Sequence, residues 1–215
     1  APVLTPVNDF ILRYRWQALL LLGLIATYRM SDTVMGVMAN VFYIDQGFTK
    51  DQIASVSKLF GLVMTLIGAG FGGLLIVRFG ILPILFIGGA ASAATNLLFL
   101  MLAGMGADLQ MLILTISADN FSAGLATAAF VAYLSSLTNL KFSATQYALL
   151  SSIMLLLPRL VGGYSGVMVE KAGYAQFFLA TALLGIPTLL LIVLQWGREH
   201  RERNNAAPAA SEAPK

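Results

Sequence analysis

The sequence has no cysteine and only one histidine among its 215 residues. Without cysteine there is no disulfide and no thiolate metal site, and the redox compartment stays open. The one histidine, His200, lies in a charged stretch near the end of the chain and is read as solvated. No residues stand at metal-ligand spacing, no glycine-rich loop could cradle a phosphate, and no serine or threonine has a base beside it. An enzyme is therefore not expected, and neither is a cofactor or a metal. Charge is scarce too. Charged residues make up 11%, against about 25% in soluble domains. A chain with so little charge cannot cover a water-facing surface. The net charge of +3 is small, and nothing in it points to nucleic acid.

What is abundant is apolar sequence, at 58% of residues with a mean hydropathy of +0.82. Lipid would face most of such a chain. A helix needs about 20 largely apolar residues to cross a bilayer. Six segments qualify, at about 16–43, 52–77, 82–103, 109–137, 144–169 and 175–196. The connectors are too short for a soluble domain. The expected organisation is a linker end over 1–15, a six-helix domain over 16–197, and a disordered tail over 198–215. No secretory signal is visible, because the apolar run after Arg13 and Arg15 continues as a long helix without a small-residue cleavage site. The start at Ala1 is read as that of a fragment or a processed product.

Orientation follows from lysine and arginine in the loops. With both termini inside, Arg13, Arg15, Arg78, Lys141, Arg198, Arg201, Arg203 and Lys215 are cytoplasmic, and only Lys50 and Lys171 fall outside. Cytoplasmic termini are expected.

Three helices recur. Phe48-Thr-Lys-Asp-Gln52-Ile-Ala54 matches Phe142-Ser-Ala-Thr-Gln146-Tyr-Ala148. Gly68 and Gly72 match Gly162 and Gly166, and Arg78-Phe-Gly80 matches Lys171-Ala-Gly173. Three is odd, so the copies would lie in opposite orientations. Inverted three-helix repeats within a six-helix half are the pattern of the major facilitator superfamily. The expected fold is thus an all-α membrane protein, a six-transmembrane-helix bundle built as one such half.

Ionisable groups inside a span are costly and are functional candidates by default. There are five: Arg29, Asp32, Lys58, Asp119 and Arg159. They fall on the first, second, fourth and fifth helices, which are expected to line a polar interior. The third carries Asn96 as its strong polar group, and the sixth is apolar, so these two are expected to face lipid. Arg29 and Asp32 are three apart, close enough to pair. Burial favours the neutral form of a carboxyl, so Asp119 is a candidate proton carrier, and a nearby arginine or lysine would oppose that shift. Lys58 and Arg159 either bind an anionic group or neutralise those carboxylates. The glycine stripes read as packing surfaces. Pro158 breaks one backbone bond beside Arg159.

Several long motifs carry a resemblance. Tyr28-Arg-Met-Ser-Asp32, Gly47-Phe-Thr-Lys-Asp-Gln-Ile-Ala-Ser-Val-Ser-Lys58 and Asp119-Asn-Phe-Ser-Ala-Gly124 resemble segments of the AmpG muropeptide permeases. So do Ala132-Tyr-Leu-Ser-Ser-Leu-Thr-Asn139, Thr145-Gln-Tyr-Ala148 and Gly162-Gly-Tyr-Ser-Gly166. The resemblance runs from about Asp9 to Leu194. It implies a transporter of the bacterial inner membrane that imports N-acetylglucosaminyl-1,6-anhydro-N-acetylmuramyl peptides by symport, driven by the proton gradient. Peptidoglycan recycling and, in some bacteria, beta-lactamase induction depend on that import. The superfamily's loop motif, Gly-x-x-x-Asp-Arg-x-Gly, is degenerate here as Gly73-Leu-Leu-Ile-Val77-Arg78-Phe-Gly80. Val77 stands at the acidic position, so no ion-pair latch is expected, and Arg78 anchors the helix end.

The resemblance also implies a missing partner, an N-terminal six-helix half, and an alternating-access cycle around a central site. Sugars would meet Tyr28, Tyr43, Asn96, Asn120, Tyr133 and Gln146. Peptide carboxylates would meet Arg29, Lys58 or Arg159. Protonation of Asp32 or Asp119 would favour reorientation. Two rivals stand beside this reading. One is a transporter of another solute, a drug or an acyl-coenzyme A type molecule. The other is a membrane scaffold without transport, whose charged stripes would be packed shut as ion pairs.

Overall fold

Bilayer hydrocarbon offers no water to a backbone, so a spanning chain must satisfy its own N–H and C=O groups. The computed structural model, which describes residues 4–138 and 143–211, meets this with helices alone among those residues. Lys141, Lys215, Asn139 and Phe142, used in the sequence reading, lie outside the described residues. The helices are α1 (Leu4–Tyr14), α2 (Gln17–Thr27), α3 (Met30–Asp45), α4 (Lys50–Val56), a π-helical turn (Ser57–Gly61) and α5 (Leu62–Phe79). They continue as α6 (Ile81–Met105), α7 (Leu109–Leu137), α8 (Ser143–Gly162), α9 (Ser165–Leu183) and α10 (Gly185–Ser211). Six stretches are long and apolar enough to cross a membrane, and the chain is a multi-pass membrane protein.

Local chemistry explains where the helices begin. Thr49 and Gln52 form a capping box at α4: Thr49 Oγ1 accepts from the Gln52 N–H and Gln52 Oε1 from the Thr49 N–H. Asp108 caps α7 by accepting from the N–H groups of Gln110 and Met111.

The fifth and sixth spans are separated inside α9. Taken as one helix, Ser165–Arg201 has 37 residues, or about 55 Å, nearly twice the hydrocarbon thickness of about 30 Å. Gly173 breaks it, with φ 78° and ψ 166°. The contacts show a reversal there. Along α8 and the start of α9, Gln146 bonds Asp9, Ser165 bonds Val34, and Tyr174 bonds Asp45. After the break the order runs backwards: Thr181 contacts Ser31, and Thr188 contacts Thr27. Gly80, which turns the second span into the third, has φ 88° and ψ 172°. The two glycines paired by the internal repeat share one conformation, and it is a region that only glycine adopts readily.

The bundle is held by close backbone approach. A methyl added at Gly68 of α5 would run into the carbonyl oxygen of Phe121 on α7, and one at Gly124 of α7 into the Thr65 carbonyl. The glycine stripe of the second span is thus a packing surface, as expected. The fifth-span stripe is less so: Gly162 sits against Val37, but Gly166 has open space.

The third span differs from expectation. Half of its apolar window is buried inside the bundle, against 17% for the second and fifth spans. Its small residues explain this: Gly88 lies against Ala126 of α7, and Ala93 against Gly185 of α10. The sixth span is two-faced, with Phe177, Phe178, Thr181, Thr188 and Ile192 buried and Leu179, Leu183, Leu190 and Leu194 exposed. α10 itself runs on to Ser211, into the stretch read as a tail.

These contacts predict a contrast. Gly68→Val should lower stability by about 1–3 kcal/mol through overpacking. Gly73→Ala, with open space around it, should be neutral or gain up to about 1 kcal/mol of helix propensity. Thermal unfolding in detergent reads both. Equal losses at the two positions would contradict the packing described.

Candidate functional site

The buried apolar residues form two clusters. One gathers Leu21, Leu24, Tyr28, Leu85, Ala129 and Tyr133 towards the end that carries both termini. The other gathers Val34, Phe42, Phe99, Leu112, Ile116 and Phe178 towards the opposite end. Between them in sequence, on every helix concerned, lie the polar groups: residues 29–32, 92–96, 119–122 and 181. The polar groups therefore form a layer across the middle of the bundle, where transporters of this architecture hold their sites.

The first span is interrupted there. α2 ends at Thr27, Arg29 leaves the helical region at φ −95° and ψ 7°, and α3 starts at Met30. Asp32 falls in the first turn of α3, where the helix dipole favours an anion. Arg29 Nη2 and Asp32 Oδ2 pair at 2.8 Å, with side chains 23% and 15% exposed. Arg29 Nη1 also donates to Thr127 Oγ1 of α7 at 3.0 Å. On the other side of the layer, Thr95 Oγ1 of α6 donates to Asp119 Oδ1 of α7 at 3.0 Å. Asn96 Nδ2 donates to Ser31 Oγ at 2.9 Å, and Ser31 Oγ donates to the Thr181 carbonyl at 2.7 Å.

The layer is open on one edge. Thr127, Gly36 and Asn40 are exposed, so the Arg29–Asp32 pair is reachable from that face. It also holds two carboxylates against one guanidinium. Arg29 closes on Asp32, and Asp119 keeps a hydroxyl as its direct partner. The arrangement leaves part of a guanidinium at an open edge and a second carboxyl, Asp119, held by a hydroxyl rather than by a cation.

Not every residue expected in a site joins this layer. Lys58 lies in the π-helical turn and is exposed, whereas Gly68 and Gly72 are buried. Lys58 and Arg159 are both exposed, and neither has a carboxylate partner among the described residues. They do not neutralise Asp32 and Asp119. Arg159 and Ser152 line an open groove of about 360 Å³ on α8. Asn120 ties α7 to α5, accepting from Thr65 Oγ1 at 3.1 Å. Tyr28 is buried and stacked on Phe130, with its hydroxyl donating to the Leu85 carbonyl at 3.0 Å. Tyr43 is buried among Phe42 and Phe99. Gln146 holds α1 to α8, accepting from Arg13 and donating to Asp9. Tyr133 lies 14 residues along α7 from Asp119, or about 21 Å, at the terminus-bearing end. Arg78 is exposed over the Phe79 ring and has no acidic partner among the described residues. Gly73 lies in open space.

Sequence reasoning missed Thr95, Thr127, Ser31 and Thr181. Their one signal was nearness: Thr95 precedes Asn96, and Ser31 precedes Asp32. A threonine in a span commonly bonds its own backbone, so nothing in the sequence alone singles these out.

No family model matches the chain. Among curated proteins, "Putative transporter AmpG 4" of Rickettsia conorii is 37% identical over 191 residues, which cover 89% of this chain and 46% of that protein. Its namesake from Rickettsia felis is 36% identical over the same length. AmpG 1 of Rickettsia prowazekii is 34% identical over 186 residues, 86% of this chain and 42% of that protein. The chain spans about half the length of the curated relatives it matches.

The geometry predicts coupling between the paired charges. Arg29→Gln should destabilise the protein by about 1–3 kcal/mol, because Asp32 is left with an unmet charge. Adding Asp32→Asn should recover a large part of that loss. Additive losses in a double-mutant cycle would contradict the pairing.

Proposed function

Since the chain belongs to the AmpG transporter family along the half of those proteins that it matches, we propose that it forms the C-terminal six-helix half of a proton-driven importer of anhydromuropeptides. The importer works in the bacterial inner membrane, with the termini of this segment in the cytoplasm, and serves peptidoglycan recycling. The observation that carries this reading is the polar layer at mid-bundle. A second six-helix half, preceding this one in the whole protein, completes the cavity.

In this reading the substrate enters against the open edge of the layer. Its peptide carboxylates are drawn by Arg29 and by the exposed cations Lys58 and Arg159, which stand on the two least buried spans. Cations exposed at membrane depth require water, another chain or an anionic ligand around them. Asp119 carries the coupling proton. When it is neutral, the layer has one carboxylate and one guanidinium and can be sealed by the moving halves. When it is charged, sealing it would strand a carboxylate in a dry site. A scaffold without transport would pack its cations shut against acids, and Lys58 and Arg159 are not packed in that way.

Two outcomes are expected in proteoliposomes of the whole transporter. Asp119→Asn loses gradient-driven uptake by at least about tenfold, equivalent to ~1.4 kcal/mol, while counterflow exchange persists. Full active uptake by that variant would sink the coupling role. Lys58→Gln and Arg159→Gln raise the apparent KM for anhydromuropeptide by about tenfold, the scale of one charge-assisted contact. Unchanged KM in both would remove these cations from the site.

A further inference from the structure

A second polar region stands apart from the mid-bundle layer. At the end that carries both termini, the ends of α1, α2, α5, α6, α7 and α10 line an open cavity of about 630 Å³. That volume falls in the usual range of ligand sites, about 300–1,000 Å³. Tyr133, Gln195, Glu199 and His200 are among its polar lining residues, and Phe79 and Trp196 among its apolar ones. Tyr133 and Gln195 are 2% and 7% exposed. The Tyr133 hydroxyl and Gln195 Oε1 nevertheless have no hydrogen-bond partner among the described residues. Buried polar atoms are almost always paired, so two orphans lining one cavity point to an occupant. Gln195 Nε2 donates to Glu199 Oε1 at 3.0 Å, which fixes the carboxylate beside them.

The chemistry of these groups defines that occupant. Gln195 Oε1 and the Glu199 carboxylate both require donors, and Glu199 favours a cation. The Tyr133 hydroxyl can donate to an anionic oxygen. A group with a primary ammonium a few atoms from a phosphate meets all three. The surroundings define its source. Trp16 is 84% exposed just before α2, and Trp196 is 43% exposed at the cavity. Tryptophans at span ends mark the level of the lipid headgroups. We propose that this cavity is a binding site for the headgroup of phosphatidylethanolamine. The ammonium sits between Gln195 Oε1 and Glu199, and the phosphate accepts from Tyr133. A choline headgroup has no N–H to give, so it leaves Gln195 unpaired. An anionic glycerol headgroup brings a phosphate towards Glu199 with no cation to offset it. The site is separate from the mid-bundle layer, and its test does not depend on transport.

The test uses the intact transporter in vesicles of mixed phosphatidylethanolamine and phosphatidylcholine, released for native mass spectrometry. The protein should retain phosphatidylethanolamine over phosphatidylcholine. Tyr133→Phe, which removes an unpaired hydroxyl and should leave the thermal midpoint unchanged, should lower that retention about fivefold, the scale of one hydrogen bond. Glu199→Gln should lower it by at least as much. Equal retention of the two lipids, or unchanged retention in both variants, would overturn the site. Soluble glycerophosphoethanolamine retained as well as the lipid would overturn its assignment to a membrane component.

Discussion

A guanidinium in the middle of a membrane must have a counter-charge or water, and Arg29 has Asp32. Much of the bundle is arranged around that pair. The first span breaks at Arg29, which restarts the helix at Met30 and puts Asp32 at its positive end. The fourth span supplies Thr127 to the guanidinium, and the third supplies Thr95 to the neighbouring Asp119. Ser31, between the paired residues, links Asn96 of the third span to the Thr181 carbonyl of the sixth. Four of the six spans therefore meet in one polar layer, and the apolar clusters on either side insulate it.

Such a layer needs rigid walls, and the walls come from small residues. Gly68 and Gly124 let the second and fourth spans touch backbone to backbone. Gly88 and Gly185 do the same for the third span against its neighbours. Lipid gives no hydrophobic drive to bring helices together, so close van der Waals packing has to do it. The second and fifth spans are left with their outer faces open, and these faces carry Lys58 and Arg159. A half-transporter that meets a second half across its substrate path would leave such a surface.

Much of this could be read from the sequence, for physical reasons. Length and hydropathy mark spans because the bilayer has a fixed thickness. Gly80 and Gly173 were legible as a repeat, and they share a backbone conformation that other residues avoid. The Arg29–Asp32 pair followed from helical spacing. The third span was expected to face lipid because Asn96 is its one strong polar group, yet half of its apolar window is buried, since leucine facing lipid and leucine facing protein look alike in a sequence. Hydroxyl partners such as Thr95 and Thr127 depend on how helices cross, which spacing along one helix does not encode. Tyr28, Tyr133 and Gln146 looked like a sugar-binding set, but only the fold shows that Tyr28 bonds backbone and Gln146 holds α1.

The role proposed for the polar layer is to bind a muropeptide and move it with a proton. Uptake of labelled anhydromuropeptide into vesicles tests it most directly, with this chain co-expressed with the half that completes it. The account predicts uptake that rises with an imposed proton gradient and collapses when a protonophore is added. A folded complex that takes up no anhydromuropeptide, or takes it up equally with the gradient dissipated, would contradict it.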